Sequence, residues 1–193
     1  MKVIAGNARG RSLKAPRGLR TRPTSARARE SIFSRLAVRI DIEGLRVLDI
    51  FAGSGSLGIE SLSRGASRAT FIDSSREAVA SIRANLETLG LGDRARIVNA
   101  EVRRALADLG RAGESFDLIF IDAPFKDDIS AAVLSLIATH GLAELGAVVV
   151  VEQSKRAPVL PDAPAPLELI NLATLGDHRI SLFRRSNDAP NPQ

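Results

Sequence analysis

The chain has 193 residues, 45% of them hydrophobic and 25% charged, which fits one soluble domain with a sizeable core. It contains no cysteine and two histidines, which excludes disulfides and thiolate metal sites and argues against a multi-histidine metal centre. No apolar run approaches the ~20 residues of a membrane span, and residues 1–6 lack the apolar stretch of a signal peptide, so we expect a cytoplasmic, metal-independent protein.

Positive charge is concentrated at the start of the chain. Residues 1–29 carry nine Lys or Arg side chains and no Asp or Glu, whereas the remaining residues carry 18 basic and 22 acidic ones. Such a segment creates a local field that attracts a polyanion. We expect a nucleic acid rather than a lipid surface, because the segment has no apolar helical stripe that would insert into lipid. A merely solvated basic face is the alternative.

The composition divides the chain into three parts. Residues 1–24 predict a basic arm with a small hairpin, whose strands would be 2–5 and 12–15. Residues 25–186 predict the main domain, and residues 187–193 have the composition of a disordered tail.

A helix is predicted directly after the arm. Thr24 or Ser25 can cap it, and its apolar face would extend to about Ile40. Arg27 and Arg29 would lie in its first turn, where cations interact unfavourably with the helix dipole. A nucleic-acid phosphate nearby would reverse that cost, which hints at function. The alternative is that solvent and Glu30 compensate for it.

From residue 45 onward, apolar strands alternate with helical segments. The predicted strands are Leu45–Phe51, Ala69–Asp73, Ala95–Asn99, Asp117–Asp122 and Ala147–Glu152. The predicted helices are 56–65, 75–90, 101–112 and 128–140. Two further strands, Leu167–Thr174 and Arg179–Arg184, are joined by a short turn and predict a hairpin. The pattern predicts a Rossmann-like α/β fold: a seven-stranded, mostly parallel sheet that ends in an antiparallel pair, with helices on both faces.

The strongest local signal is the glycine-rich turn that follows the first strand. Gly53, Gly55 and Gly58 have the spacing of a dinucleotide fingerprint, which on its own is a weak signal. Asp49 changes its meaning, because a carboxylate at the strand end suits the α-ammonium of a methionine moiety and would repel a pyrophosphate. The cofactor prediction is therefore S-adenosylmethionine. A βα turn that binds nothing is the alternative.

Acidic residues also follow the next two strands. Asp73 lies 24 residues after Asp49, near the spacing of a carboxylate that accepts ribose hydroxyls, and Ser74 follows it. Glu101, after the third strand, is a candidate acceptor for the adenine amino group. The alternative for each acid is a residue at the start of the following helix, which it would stabilise through the helix dipole.

The fourth strand ends in Asp122-Ala123-Pro124-Phe125, which predicts the catalytic loop. An aryl amine is a poor nucleophile because its lone pair is delocalised into the ring. Asp122 and a backbone carbonyl can together accept both N–H bonds, and Phe125 can stack on a base rotated into the pocket. Pro124 restrains the loop so that the acceptors converge. A strand-ending turn without function is the alternative.

These motifs resemble the class I amino-methyltransferases, whose fourth-strand motif is Asp/Asn-Pro-Pro-Tyr/Phe. Together with Val3–Gly6, Arg9–Arg11, Arg22–Thr24 and Leu62–Ala66, they resemble the bacterial 16S rRNA guanine-N2 methyltransferases of the RsmD type. The resemblance implies methyl transfer from S-adenosylmethionine to the exocyclic N2 of a guanine in 16S rRNA, during maturation of the small subunit. It implies a monomer whose partner is 16S rRNA or an assembly particle. The candidate RNA contacts are Arg9, Arg11, Lys14, Arg20, Arg22, Arg27 and Arg29.

Two departures from the family keep alternatives open. Ala123 replaces the usual first proline of the catalytic loop, and Leu175–His178 replaces a Tyr-Gly-Asp-Thr sequence. An adenine-N6 methyltransferase acting on DNA or RNA shares the fourth-strand chemistry. A non-catalytic RNA-binding protein that kept the fold is the rival from another class, and a dehydrogenase is disfavoured by Asp49. The exact nucleotide and the form of the substrate stay open.

Overall fold

The computed structural model describes residues 1–16, 26–123, 129–160 and 164–186. The chain divides into two compact units, Met1–Glu101 and Val102–Gln193. The elements of the first unit are α1 (Ala26–Ala37), β1 (Arg46–Ile50), α2 (Ser56–Ser63), β2 (Arg68–Asp73), α3 (Arg76–Leu89) and β3 (Ala95–Asn99), with a 3-10 turn at Gly92–Arg94.

The first unit is built on three parallel strands in the order β3-β2-β1. Leu48, Ile50 and Phe71 on β1 and β2 are fully buried, as expected for parallel strands that are covered on both faces. Each such side chain stabilises the fold by about 1.5–3 kcal/mol. The register places Asp73, at the end of β2, beside Asn99, at the end of β3. Two polar side chains therefore meet at the carboxyl edge of these strands.

Residues 1–16, which we call the docked segment, lie against the first unit. The hairpin pairing is present but short, since it consists of a single antiparallel bridge between Lys2 and Ser12. Buried Val3, Ala8 and Leu13 hold the segment in place from its apolar side. The predicted arm is thus docked over its first part, and its second part lies outside the described residues.

The second unit contains α4 (Val102–Arg111), β4 (Phe116–Asp122), α5 (Ser130–Thr139), β5 (Ala143–Ser154), β6 (Leu167–Leu175) and β7 (His178–Arg185). β4 pairs with β5 in parallel, and β7 pairs antiparallel with both β5 and β6, giving the order β4-β5-β7-β6. Val148–Val151 of β5 and Leu118–Ile121 of β4 are buried throughout. The predicted closing hairpin is confirmed, with its turn at Gly176.

The seven strands of the described residues, mostly parallel and ending in an antiparallel pair, confirm the predicted Rossmann-like α/β class. The element limits differ from the predicted ones by three or more residues in two places. β5 begins at Ala143, four residues before the predicted start, because the pairing with β4 passes through an irregularity that breaks the apolar pattern. α1 ends at Ala37, before the predicted Ile40. Within the described ranges, no helix is both long and apolar enough to span a membrane.

Candidate functional site

The glycine loop, residues 51–55, connects the end of β1 to the start of α2. Gly53 and Gly55 have φ angles of 56° and 76°, in the left-handed region that L side chains rarely adopt. Phe51 also lies there, with φ 61°. A non-glycine residue in this conformation stores on the order of 1–3 kcal/mol of strain, which the surrounding structure must offset. Strain of this kind is concentrated at functional sites.

Gly58 is required by packing rather than by its backbone angles. A Cβ at this position would lie 2.4 Å from the Phe71 ring of β2 and 3.2 Å from the Asp49 carboxylate. The missing side chain therefore lets α2 approach the strands closely. This is the role expected of the third glycine in such a turn.

Asp49 is buried beneath the glycine loop, with 1% of its surface exposed. Its Oδ2 accepts a hydrogen bond of 2.9 Å from the backbone N–H of Gly58, in the first turn of α2. A carboxylate there satisfies a helix donor and interacts favourably with the helix dipole. Asp49 therefore positions the loop, whatever it also contributes to a ligand.

Asp73 joins the glycine loop to the end of β2. Its Oδ2 accepts from the backbone N–H of Gly53, and its Oδ1 accepts from that of Ser75, both at 2.9 Å. Each carboxylate oxygen has two lone pairs, so acceptor sites remain for hydroxyl groups. Two of the predicted cofactor residues, Gly53 and Asp73, are thus in direct contact. Ser74, the residue after Asp73, is exposed.

At the end of β3, the structure points to a residue that the sequence analysis did not select. The Nδ2 group of Asn99 donates a 2.9 Å hydrogen bond to the backbone carbonyl of Asp73. Glu101, the residue that was selected, is exposed one residue before α4. The matching strand ends of β2 and β3 were the signal that could have identified Asn99.

Asp122 is half-buried at the end of β4, and Ala123 after it is buried. Pro124 and Phe125 lie outside the described residues. The register of β4 and β5 places Asp122 beside Glu152, which is 2% exposed. Two neighbouring carboxyl groups, one on β4 and one on β5, therefore lie side by side. The sequence analysis identified Asp122 but not Glu152.

The Glu152 carboxyl is bound on one side only. Its Oε1 lies 2.6 Å from Nδ1 of His178, and its Oε2 is buried without a hydrogen-bond partner among the described residues. Burial, reinforced by the negative charge of Asp122, raises the pKa of Glu152 from an ordinary 4.5 to about 9. A pKa raised in this way favours the protonated form of Glu152 at neutral pH.

The predicted RNA contacts separate into three groups. Arg9, Arg11, Lys14 and Arg27 are exposed, although Arg11 donates to the Thr88 carbonyl. Arg20 and Arg22 lie outside the described residues. Arg29 is fully buried, so its predicted contact with a phosphate needs correction: tertiary packing removes it from the surface.

Arg29 instead contacts the docked segment. Its Nη2 donates a 2.9 Å hydrogen bond to the Lys2 carbonyl, while Nε and Nη1 are buried without partners within the described ranges. Burial lowers the pKa of this guanidinium, and the Glu60 carboxylate opposes that shift. The side chain therefore acts within the first unit.

Buried polar side chains of α2 and α3 hold the docked segment. Both oxygens of Glu60 accept backbone N–H groups, from Ile4 at 2.7 Å and from Ala5 at 2.9 Å. Asn85 accepts from the Lys14 N–H and donates to the Lys14 and Ser54 carbonyls. Asn85 thereby couples the docked segment to the glycine loop. In the sequence, Glu60 could have been identified as the lone acid of α2, whose other residues are all small or apolar.

Metal ligation finds no support in the described residues, where no group of three or more His, Cys, Asp or Glu side chains is arranged to hold an ion.

A family model described as conserved hypothetical protein 95 matches residues 1–184. The chain belongs to this family. It is 36% identical to YlbH of Bacillus subtilis over 185 residues, covering 96% of this chain and 99% of that protein. It is also 36% identical to ribosomal RNA small subunit methyltransferase D of Escherichia coli over 186 residues, covering 96% and 90%. The resemblance to the RsmD type is thereby confirmed.

The family fold is shared by a solved structure of the Escherichia coli protein yhhF. That structure superposes with a TM-score of 0.83 at 35% identity and covers 97% of this chain and 99% of its own. At this coverage the likeness extends over both compact units.

Proposed function

We propose that the chain transfers a methyl group from S-adenosylmethionine to the exocyclic N2 of a guanine in 16S rRNA. The observation that carries this proposal is the near full-length likeness to a small-subunit rRNA methyltransferase. The carboxylates at the strand ends supply the acceptors that the proposed reaction uses: Asp73 for the cofactor and Asp122 for the target amine. Guanine N2 rather than adenine N6 is the finer part of the proposal and rests on the family resemblance.

The described residues of the first unit support this proposal, because they supply acceptors suited to the hydroxyl and ammonium groups of S-adenosylmethionine. Asp73 has acceptor sites left for ribose hydroxyls after binding Gly53 and Ser75. The backbone of Gly53 and Gly55 permits close approach of a ligand, and Ser74 and Glu101 are further candidate contacts. The buried negative charge of Asp49 favours the methionine ammonium and disfavours a pyrophosphate.

When bound, S-adenosylmethionine supplies an electrophilic methyl group on its sulfonium. Asp122 accepts an N–H bond of the target amine and so directs the nitrogen lone pair away from the ring. The Ala123 backbone keeps its carbonyl as a second acceptor, although it lacks the stiffness of proline. As the new N–C bond forms, the bond between the methyl carbon and the sulfonium sulfur breaks, S-adenosylhomocysteine is the leaving group, and the surplus proton of the nitrogen passes to the Asp122 carboxylate. Phe125 stacks on the target base, and Pro124 orients the loop.

RNA is held by the exposed basic side chains of the first 29 residues. Arg9, Arg11, Lys14 and Arg27, with Arg20 and Arg22, supply the phosphate contacts, and Arg29 is not among them. Binding is therefore sensitive to salt.

Replacement of Asp122 tests the proposal. We expect Asp122→Ala to reduce methyl transfer to small-subunit RNA by roughly 10²- to 10⁴-fold, as for loss of a group that receives a proton. Calorimetry should show unchanged affinity for S-adenosylmethionine. Asp108→Asn, a change at an exposed carboxylate on α4, is the control. Undiminished turnover of Asp122→Ala would contradict the mechanism.

A further inference from the structure

Glu152 and His178 form a buried pair beside Asp122 that the proposed reaction does not use. The hydrogen bond between Glu152 Oε1 and His178 Nδ1 is 2.6 Å, and Glu152 Oε2 has no partner in the part of the chain that the structure describes. The register of β4 and β5 sets Glu152 directly beside Asp122. A buried carboxyl oxygen left without a donor is costly if the group is ionised.

Two neighbouring carboxylates in a poorly solvated site repel each other, so ionisation of one raises the pKa of the other. The group with less access to water keeps the proton. Glu152 is 2% exposed, whereas Asp122 is half-buried. This comparison favours a protonated Glu152 and an ionised Asp122.

Other charges on the neighbouring strands are engaged elsewhere. Lys155 pairs with Asp177 at 2.8 Å, and the Arg179 guanidinium donates to the carbonyls of Lys155 and Ala157. Among the described residues, Asp122 and His178 are the titratable groups that interact with Glu152.

We propose that Glu152 is a positioning residue: protonated and donating to His178 Nδ1, it leaves Asp122 as the ionised acceptor for the target amine. This inference rests on the proposed function of Asp122. An ionised Glu152 would favour protonation of Asp122, and a protonated Asp122 has lost part of its capacity to accept N–H bonds.

Infrared difference spectroscopy of the full chain without RNA or cofactor tests the protonation directly. At neutral pH, wild type minus Glu152→Gln should show the C=O stretch of a protonated carboxyl, which shifts in D₂O. The matched change Glu144→Gln, in the same strand and bonded to Ser115, should leave that band in place. The band should disappear as the pH rises through about 9. Absence of the band from the folded wild type would overturn the inference.

Coupling to Asp122 has its own measurement, which does not depend on the folding of Glu152→Gln. In Asp122→Asn, the band should titrate at a pH lower by roughly one unit, because the neighbouring charge is removed. An unshifted titration would overturn the link between the two residues.

The pH dependence of kcat tests the charge of Glu152 during turnover. The acid limb of the kcat profile of Glu152→Gln should coincide with that of wild type, because Glu152 is neutral throughout that range. A shift of the limb to lower pH would show that Glu152 is charged, and would overturn the inference. If wild type shows the band but transfers no methyl group, the proposed function fails instead.

Discussion

The carboxylate of Asp73 accepts a 2.9 Å hydrogen bond from the backbone N–H of Gly53, so the end of β2 fixes the glycine loop. The same carboxylate accepts from Ser75, the N-cap residue of α3. One side chain thus organises the loop, the strand end and the start of a helix. The site residues of the first unit are therefore preorganised around Asp73.

Asp73→Ala should weaken S-adenosylmethionine binding by about 10- to 100-fold, since hydrogen bonds to a charged group contribute about 1.5–3 kcal/mol. Isothermal titration calorimetry measures the change. Asp93→Ala, at an exposed carboxylate in the 3-10 turn, should bind like wild type. Equal affinity of both variants would contradict the assigned role of Asp73.

Gly58→Ala should destabilise the protein by about 1–3 kcal/mol, because its Cβ would lie 2.4 Å from the Phe71 ring. Urea unfolding gives the free energy. Gly92→Ala is the matched control, since a Cβ at Gly92 meets nothing within 4 Å. Phe71→Leu should recover part of the loss when combined with Gly58→Ala, and strictly additive effects would argue against the contact.

Neutralising Arg9, Lys14 and Arg27 should flatten the salt dependence of RNA binding. The slope of log K against log salt concentration should become less negative by about 0.7 to 0.9 for each phosphate contact that is lost. Filter binding over a salt series measures the slope. An equal number of exposed arginines outside the first 29 residues, Arg76, Arg83 and Arg103, provides the control. An identical slope for both triple variants would show that the segment is not the RNA site.

Arg29→Met should leave that slope unchanged, because the Arg29 guanidinium is buried and binds the Lys2 carbonyl. A flatter slope for this variant would restore Arg29 to the RNA contacts.

Glu152 makes stability fall as pH rises. In the unfolded chain Glu152 ionises near 4.5, whereas in the folded protein it keeps its proton up to about 9. Between these values the unfolded state binds fewer protons, so the free energy of unfolding of wild type decreases with pH. Glu152→Gln lacks this loss, and its stability relative to wild type should increase from about pH 5 to pH 9. Denaturant unfolding across that range measures the difference, and a constant difference would contradict the raised pKa.

Much of the fold was predictable because its order is local. Buried parallel strands such as Leu118–Ile121 are continuous apolar runs, and Gly53 and Gly55 mark the turn at which a strand meets a helix. The strand ends then place Asp49, Asp73 and Asp122 without further information. The sequence identifies these three residues because each lies at the end of an apolar run that predicts a strand.

The remaining features depend on contacts between distant residues. The basic character of Arg29 predicted a surface contact, but packing against the docked segment buries it. Glu60 and Asn85 bind backbone groups 55 to 71 residues away in the chain, and no local pattern specifies such partners. Glu152 gains its importance from the strand register beside Asp122, which is fixed only when the sheet forms.

Labelled methyl transfer to small ribosomal subunits from cells that lack this protein tests the central claim most directly. Digestion and mass spectrometry identify the methylated nucleoside, and mapping places it in the RNA. The account predicts N2-methylguanosine at one position of 16S rRNA, formed by wild type and lost in Asp122→Ala. N6-methyladenosine, or no transfer by folded protein that binds S-adenosylmethionine, would contradict it.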